Sequence, residues 1–113
     1  MHELVALTET IEQVERVAKE KEIKKIKAIV LEIGEASGYL PSFVTACYPR
    51  VIRGKPLFRG CELRIVRTKG EALCGKCRSH YNVVLNRGIC PKCCANEPQM
   101  ISGDEFLIKE ILY

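Results

Sequence analysis

The sequence lacks the features that mark membrane, secreted and enzymatic proteins. No stretch of the 113 residues approaches the ~18 to 20 consecutive apolar residues that a membrane-spanning helix needs. The N-terminus has no basic region followed by an apolar segment, as a secretory signal would. No catalytic triad, no paired acid and base and no glycine-rich phosphate loop with its lysine is visible. We therefore expect a cytoplasmic protein without a membrane partner and without enzymatic activity.

The sequence also lacks a clustered stripe of basic residues with interleaved aromatic rings. Its net charge is +4, and residues 47–113 hold 12 basic and 6 acidic side chains. Nucleic-acid-binding surfaces usually present a clustered stripe of lysine and arginine with stacking aromatic rings, whereas here the basic residues are scattered. We therefore expect no nucleic-acid partner. Because the second half is basic, a zinc-ribbon nucleic-acid-binding module stays as the alternative function.

Cysteine, by contrast, is abundant. Seven cysteines occur, and four of them form two C-x-x-C pairs separated by twelve residues. Two such pairs can place four thiolates around one tetrahedral ion, for which zinc is the first choice. A reducing cytoplasm disfavours disulfides, but disulfides, unrelated buried thiols and an iron-based electron-transfer site are the competing interpretations. The predicted zinc ligands are Cys74, Cys77, Cys90 and Cys93.

We also predict the structure of the segment between these pairs and the roles of three further residues. A short hairpin over 80–89 would bring the second pair back to the first, and His80 is expected to be an exposed residue of that hairpin. Cys94 stands where zinc knuckles commonly have a left-handed glycine. We expect Cys94 to be a spare thiol in a strained turn, and the alternative is competition with Cys93 for the metal. Cys61 is expected to lie in the core.

The first three residues form a second candidate metal site. The α-amine of Met1, the deprotonated amide nitrogen of His2 and the imidazole Nδ1 of His2 would form fused five- and six-membered chelate rings. Three in-line nitrogens suit Ni(II) or Cu(II), and Glu3 or water could fill a further position. Taken alone, a histidine in second position is more commonly a frayed, solvated residue.

Apolar periodicity predicts the regular elements and an α+β fold class. We expect two helices on a small three-stranded mixed sheet, with a zinc-ribbon module inserted before the last strand. The second helix should begin at Pro41 and kink or end near Tyr48, because Pro49 donates no hydrogen bond. The other predicted elements are a helix over 3–21 and strands over 26–33, 61–68 and 105–113.

Taken together, these features resemble the HypA/HybF family of nickel metallochaperones for [NiFe]-hydrogenase maturation. The resemblance spans the chain in one order: Met1-His2-Glu3 at the start of a helix, the stretches 31–35 and 37–38, the cysteine ribbon and the stretch 101–109. It implies that nickel binds at His2, with the Met1 amine and Glu3, and that zinc in the ribbon is structural.

The resemblance also implies partners, and the order of the predicted elements divides the chain into two domains. The partners would be a GTPase that loads or receives nickel and a hydrogenase large subunit, with urease maturation proteins as a further possibility. The protein could be a monomer or a homodimer. The predicted nickel-binding α/β domain covers residues 1–69 and 101–113, and the predicted zinc ribbon covers residues 70–100.

Overall fold

The computed structural model describes residues 2–113. Within that range the chain forms two α-helices, six β-strands and one short 3-10 helix, Pro56–Phe58. Among these residues, neither helix has the length and apolarity that crossing a lipid bilayer requires. The elements in chain order are α1 (His2–Glu20), β1 (Ala28–Gly34), α2 (Pro41–Val51), β2 (Glu62–Thr68), β3 (Glu71–Cys74), β4 (His80–Asn82), β5 (Pro98–Ser102) and β6 (Phe106–Leu112).

The first sheet has the strand order β2-β1-β6. β1 pairs with β2 in parallel and with β6 in antiparallel register, so the sheet is mixed. A parallel pair needs a long crossover, and α2 lies in the connection from β1 to β2. This arrangement confirms the predicted α+β class. One buried core joins the apolar stripe of α1 to alternate residues of β1, namely Leu7, Ile11, Val14, Ala18, Ile29, Leu31 and Ile33.

The second helix is longer than the sequence suggests. It begins at Pro41 as predicted and continues through Pro49 to Val51. Of the two predicted outcomes near Tyr48, the early end is therefore wrong, and the kink stays a prediction. Pro49 lies in the last turn, where its missing N–H removes a single hydrogen bond. The buried Tyr48 side chain also anchors this turn, because its hydroxyl donates to the carbonyl of Cys61 at 3.0 Å.

The second sheet has the order β4-β3-β5, and both pairings are antiparallel. The predicted hairpin over 80–89 is wrong, because β4 pairs instead with β3 through the turn that contains Cys77. Residues 83–88 form turns. β3, β4 and β5 are only 4, 3 and 5 residues long, which is too short for their alternation to stand out in the sequence.

Two glycines allow the chain to cross closely between the two sheets. A Cβ on Gly34 would lie 2.0 Å from the carbonyl oxygen of Gly103, and Gly103 itself has φ +83°. Ala36 N–H donates to that same carbonyl at 2.7 Å. The Glu35 carboxylate accepts a hydrogen bond from Gly70 N–H at 3.1 Å. These contacts fix the turn after β1. The turn leads directly to Tyr39 and Leu40, which lie beside His2 and Glu3 at the start of α1.

Candidate metal centres

The four paired cysteines converge on one point in the ribbon. Their sulfur atoms all lie within 4.8 Å of one another, and two pairs, Cys74 with Cys93 and Cys77 with Cys90, are separated by 3.6 Å. A tetrahedral zinc ion with Zn–S bonds of about 2.3 Å requires sulfur–sulfur distances of about 3.8 Å. The observed spacing therefore fits a single tetrahedral zinc ion.

Backbone hydrogen bonds orient the sulfur atoms from both knuckles. Cys74 Sγ accepts N–H groups from Lys76 at 3.4 Å and Cys77 at 3.5 Å. In the second knuckle, Cys90 Sγ accepts the N–H of Lys92 at 3.4 Å. Such bonds to metal-bound sulfur hold the ligands in place and partly offset their negative charge. The two C-x-x-C pairs therefore form matching half-sites.

Each knuckle closes with a residue in the left-handed region. Arg78 has φ +66° and Cys94 has φ +64°, and their N–H groups donate at 2.9 Å to the carbonyls of Cys74 and Cys90, respectively. Cys94 thus occupies the strained position that the sequence predicts for it. Its side chain is exposed and is not one of the four clustered sulfurs.

Cys94→Gly should stabilise the protein by about 1 kcal/mol, because glycine adopts the left-handed conformation without the Cβ penalty. Thermal unfolding of the zinc-loaded protein, followed by circular dichroism, measures the difference. Cys94→Ala keeps the Cβ and is the matched control, for which we expect no gain. A loss of zinc from both variants would instead make Cys94 a ligand.

Cys77 and Cys93 differ in the pKa of their thiols. The Ser79 side chain, with Oγ 3.2 Å from Cys77 Sγ, and the Ser79 backbone lower the pKa of Cys77 to about 6. The Ala95 backbone favours the thiolate of Cys93, but burial and the neighbouring thiols raise its pKa to about 12. Four negative charges at this spacing repel one another, and a divalent cation offsets that repulsion. Both the donor set and the geometry therefore fit zinc.

The start of α1 presents His2 to solvent. Met1 lies outside the described residues, and His2 is the first residue of the helix. The first N–H groups of an α-helix have no intrahelical acceptor, so the amide nitrogen of His2 is not needed for helix formation. One oxygen of Glu3 accepts the N–H of Leu40 at 3.2 Å, which ties this end of α1 to the residue before α2.

An aromatic pair lies beside His2. The ring centroids of His2 and Tyr39 are 6.3 Å apart at an interplanar angle of 57°, and Tyr39 packs on Phe106 at 4.9 Å. A cavity of about 400 Å³ opens here, lined by His2, Val5, Ala6, Glu9 and Tyr39. Sequence reasoning missed Tyr39, whose only signal is its place directly after the glycine turn that ends β1.

Comparison with known proteins assigns the chain to a family. A family model described as hydrogenase/urease nickel incorporation, metallochaperone, hypA, matches residues 1–113. The chain belongs to the HypA family. It is 36% identical over 111 residues to the hydrogenase maturation factor HypA of Geobacter sulfurreducens, covering 98% of this chain and 97% of the relative. The corresponding protein of Dechloromonas aromatica is 30% identical, with coverage of 98% and 97%.

Solved structures of HypA proteins have the same fold. The solution structure of the Ni metallochaperone HypA from Helicobacter pylori superposes with a TM-score of 0.71 at 24% identity, covering 97% of this chain and 95% of that one. A second HypA solution structure gives a TM-score of 0.71 at 26% identity, with coverage of 99% and 95%. As a HypA-family member, this protein is a nickel-incorporation metallochaperone for hydrogenase and not an enzyme.

The other candidate residues lie outside the four-sulfur cluster of this HypA-family chain. His80 is exposed, as predicted, and its Nε2 lies 3.8 Å from a carboxylate oxygen of Glu71. Cys61 is buried in the first core, which confirms its predicted location, and burial raises the pKa of its thiol. Cys47 is half-buried beside the same core.

Proposed function

We propose that this chain binds Ni(II) at its N-terminus and delivers it for maturation of [NiFe]-hydrogenase, while zinc held by Cys74, Cys77, Cys90 and Cys93 is structural. The observation that carries this proposal is the contrast between the two centres. Four thiolates converge from two knuckles in the ribbon, with two of them fully buried. His2, by contrast, is exposed at the start of a helix.

Nickel is the cargo, and the N-terminal residues supply its ligands. The proposed donors are the α-amine of Met1, the amide nitrogen of His2 and the imidazole Nδ1 of His2. Supporting this, His2 opens α1, where amide groups lack intrahelical acceptors. One carboxylate oxygen of Glu3 accepts the N–H of Leu40, and the other oxygen is the proposed additional nickel ligand. Few protein donors and open solvent access favour transfer to a stronger acceptor.

Zinc, in this proposal, holds the ribbon together and is not delivered. Structural zinc sites bind with free energies of about 10 to 16 kcal/mol in model peptides, so release is too slow for a delivery route. The ribbon needs such a staple because its own buried cluster is small. Among the described residues, the buried cluster of the ribbon consists of Cys74, Tyr81 and Cys90, and two of these three residues are proposed ligands.

Metal analysis of protein with a native N-terminus tests the proposed function. After dialysis against a weak chelator, mass spectrometry should find about one zinc per chain. Added Ni(II) should then bind at about one equivalent and leave again with a stronger chelator. Zinc that leaves together with the nickel, or nickel that displaces zinc stoichiometrically, would contradict two separate sites.

The partners form a further part of the proposal. Membership in a nickel-incorporation family supports two partners, namely a GTPase that loads or receives nickel and a hydrogenase large subunit that is the final recipient. Urease maturation proteins are proposed as a second set of partners. We also propose a cytoplasmic location. A nickel-binding domain over 1–69 and 101–113 and a zinc ribbon over 70–100 agree with the two separate buried clusters, although β5 of the second sheet extends to Ser102.

Docking of the GTPase should use α1, because the proposed nickel donors lie at its start. Charge reversal at Glu12 or Arg16, both exposed, should weaken association by less than about 1 kcal/mol each, with an effect that fades at high salt. Reversal at Glu15 should cost more, since it also breaks the 3.0 Å ion pair with Lys55. Titration calorimetry with the GTPase measures this. Reversal of Glu97 on the ribbon is the control, and an equal effect there would refute the assignment.

A further inference from the structure

The connection between α2 and β2 concentrates positive charge. Residues 36–61 contain no aspartate or glutamate, and their four basic residues all lie between 50 and 59. The preceding segment 20–27, with four lysines and two glutamates, lies against this connection, because Ile26 N–H donates to the carbonyl of Leu57 at 3.1 Å. Glu62 also lies at this end of the first sheet, where its N–H donates to the carbonyl of Lys27 at 3.0 Å, but basic residues still outnumber acidic ones here.

A shallow cavity of about 360 Å³ opens in this basic surface. We name it the basic groove. Cationic side chains supply part of its lining, and no carboxylate contributes to it. We call the apolar part of its lining the floor, where Pro49 and Pro56 are exposed and Ile52 is half-buried, whereas Phe58 is fully buried. The basic groove is lined by Pro49, Ile52, Arg53, Gly54, Lys55, Pro56, Phe58, Arg59 and Gly60.

The arginines of the basic groove are available to a ligand. Lys55 is held by Glu15 at 3.0 Å. Within residues 2–113, neither Arg53 nor Arg59 has a carboxylate oxygen within 4.0 Å, and both are exposed. An arginine guanidinium binds a carboxylate through two parallel hydrogen bonds, a geometry that a lysine cannot offer. Two unpaired guanidinium groups around an apolar floor therefore favour an acidic ligand with an apolar part.

We propose that the basic groove binds an acidic peptide segment of a partner protein, with one apolar side chain on the floor and flanking carboxylates on Arg53 and Arg59. A small inorganic anion would use the rim and leave the apolar floor unfilled. Glu15 forms the ion pair with Lys55 at the edge of the basic groove. It follows His2 by thirteen residues on α1, a distance of about 20 Å along the helix. A partner held here leaves the start of α1 accessible. This inference does not depend on the nickel ligands.

Fluorescence anisotropy tests the proposal with the zinc-loaded full chain. The probes are a fluorescein-labelled Glu-Glu-Leu-Phe-Glu-Glu peptide, its Lys-for-Glu counterpart and a labelled ten-nucleotide single-stranded RNA. We expect the acidic peptide to bind tightest and to weaken as salt rises. The double variant Arg53→Glu/Arg59→Glu should weaken it about ten-fold, since two exposed charge contacts together contribute about that much.

The matched control carries the same change of charge at Arg87 and Lys109, which are exposed and lie outside the basic groove. It should change peptide affinity by less than about two-fold. The milder pair Arg53→Gln/Arg59→Gln repeats the test in case the reversal disturbs folding. Equal losses in the groove and control variants, undiminished binding by both groove variants, no binding of the acidic peptide, or tighter binding of RNA would each overturn the proposal.

Discussion

Cys90→Ser should lower zinc affinity about 100-fold and unfold the second sheet, while the first sheet and both helices stay folded. A structural zinc site contributes about 10 to 16 kcal/mol through four ligands, so loss of one ligand removes about 3 kcal/mol. Cys90 is also fully buried, so its replacement places a hydroxyl in the small ribbon core. Among the described residues, Tyr81 is the one large buried side chain in that core.

Zinc content by mass spectrometry and amide resonances by NMR together measure this outcome. Resonances from residues 71–102 should collapse toward random-coil positions, and those from α1, β1 and α2 should move little. Cys94→Ser is the matched control, because it alters a neighbouring thiol outside the four-sulfur cluster and should keep zinc. A zinc affinity of Cys90→Ser equal to that of wild type, measured by competition with a chelator, would refute the assignment, and Cys94 would then be the first residue to test as a replacement ligand.

The sequence predicts the four-cysteine cluster well because its members lie in two local motifs. The spacing of Cys74 and Cys77 fixes one half-site, and that of Cys90 and Cys93 fixes the other, whatever joins them. The prediction fails for the joining segment. There the hairpin runs from β3 to β4 rather than over 80–89, because strands this short are set by pairing partners and not by their own periodicity.

In the fold, too, the features set by neighbouring residues are predicted, and the contacts between residues far apart in the sequence are not. α1 and β1 are predicted closely because their apolar residues repeat with the period of the element. The contact between Gly34 and Gly103, however, joins residues 69 positions apart, and no local pattern reports it. The same applies to the hydrogen bond from Leu40 to Glu3 across 37 positions. Sequence reasoning therefore proposes His2 as a ligand from a local motif but misses the residues that lie beside it, such as Tyr39.

Removal of the His2 side chain should abolish specific Ni(II) binding without altering zinc content or fold. His2→Ala removes the imidazole donor and breaks the second chelate ring, which leaves the amine and amide as a weak pair. His2 is exposed and contributes nothing to either buried cluster, so stability should hardly change. Wild-type affinity should fall as the pH is lowered, because protons compete with nickel for the amine, the amide and the imidazole.

A variant with a single glycine placed before Met1 distinguishes two modes of nickel binding. In one mode the terminal amine is a ligand, and in the other only the imidazole of His2 is. This extension moves the terminal amine away from the amide nitrogen of His2 and leaves the histidine side chain unchanged. If the amine closes the first ring, the extended protein should lose Ni(II) binding as completely as His2→Ala does, and calorimetry of the two proteins beside wild type measures this. Circular dichroism and zinc content of all three should agree. Unchanged nickel affinity in the extended protein would exclude the amine, and the site would then have to be rebuilt from His2, Glu3 and a further ligand such as His80.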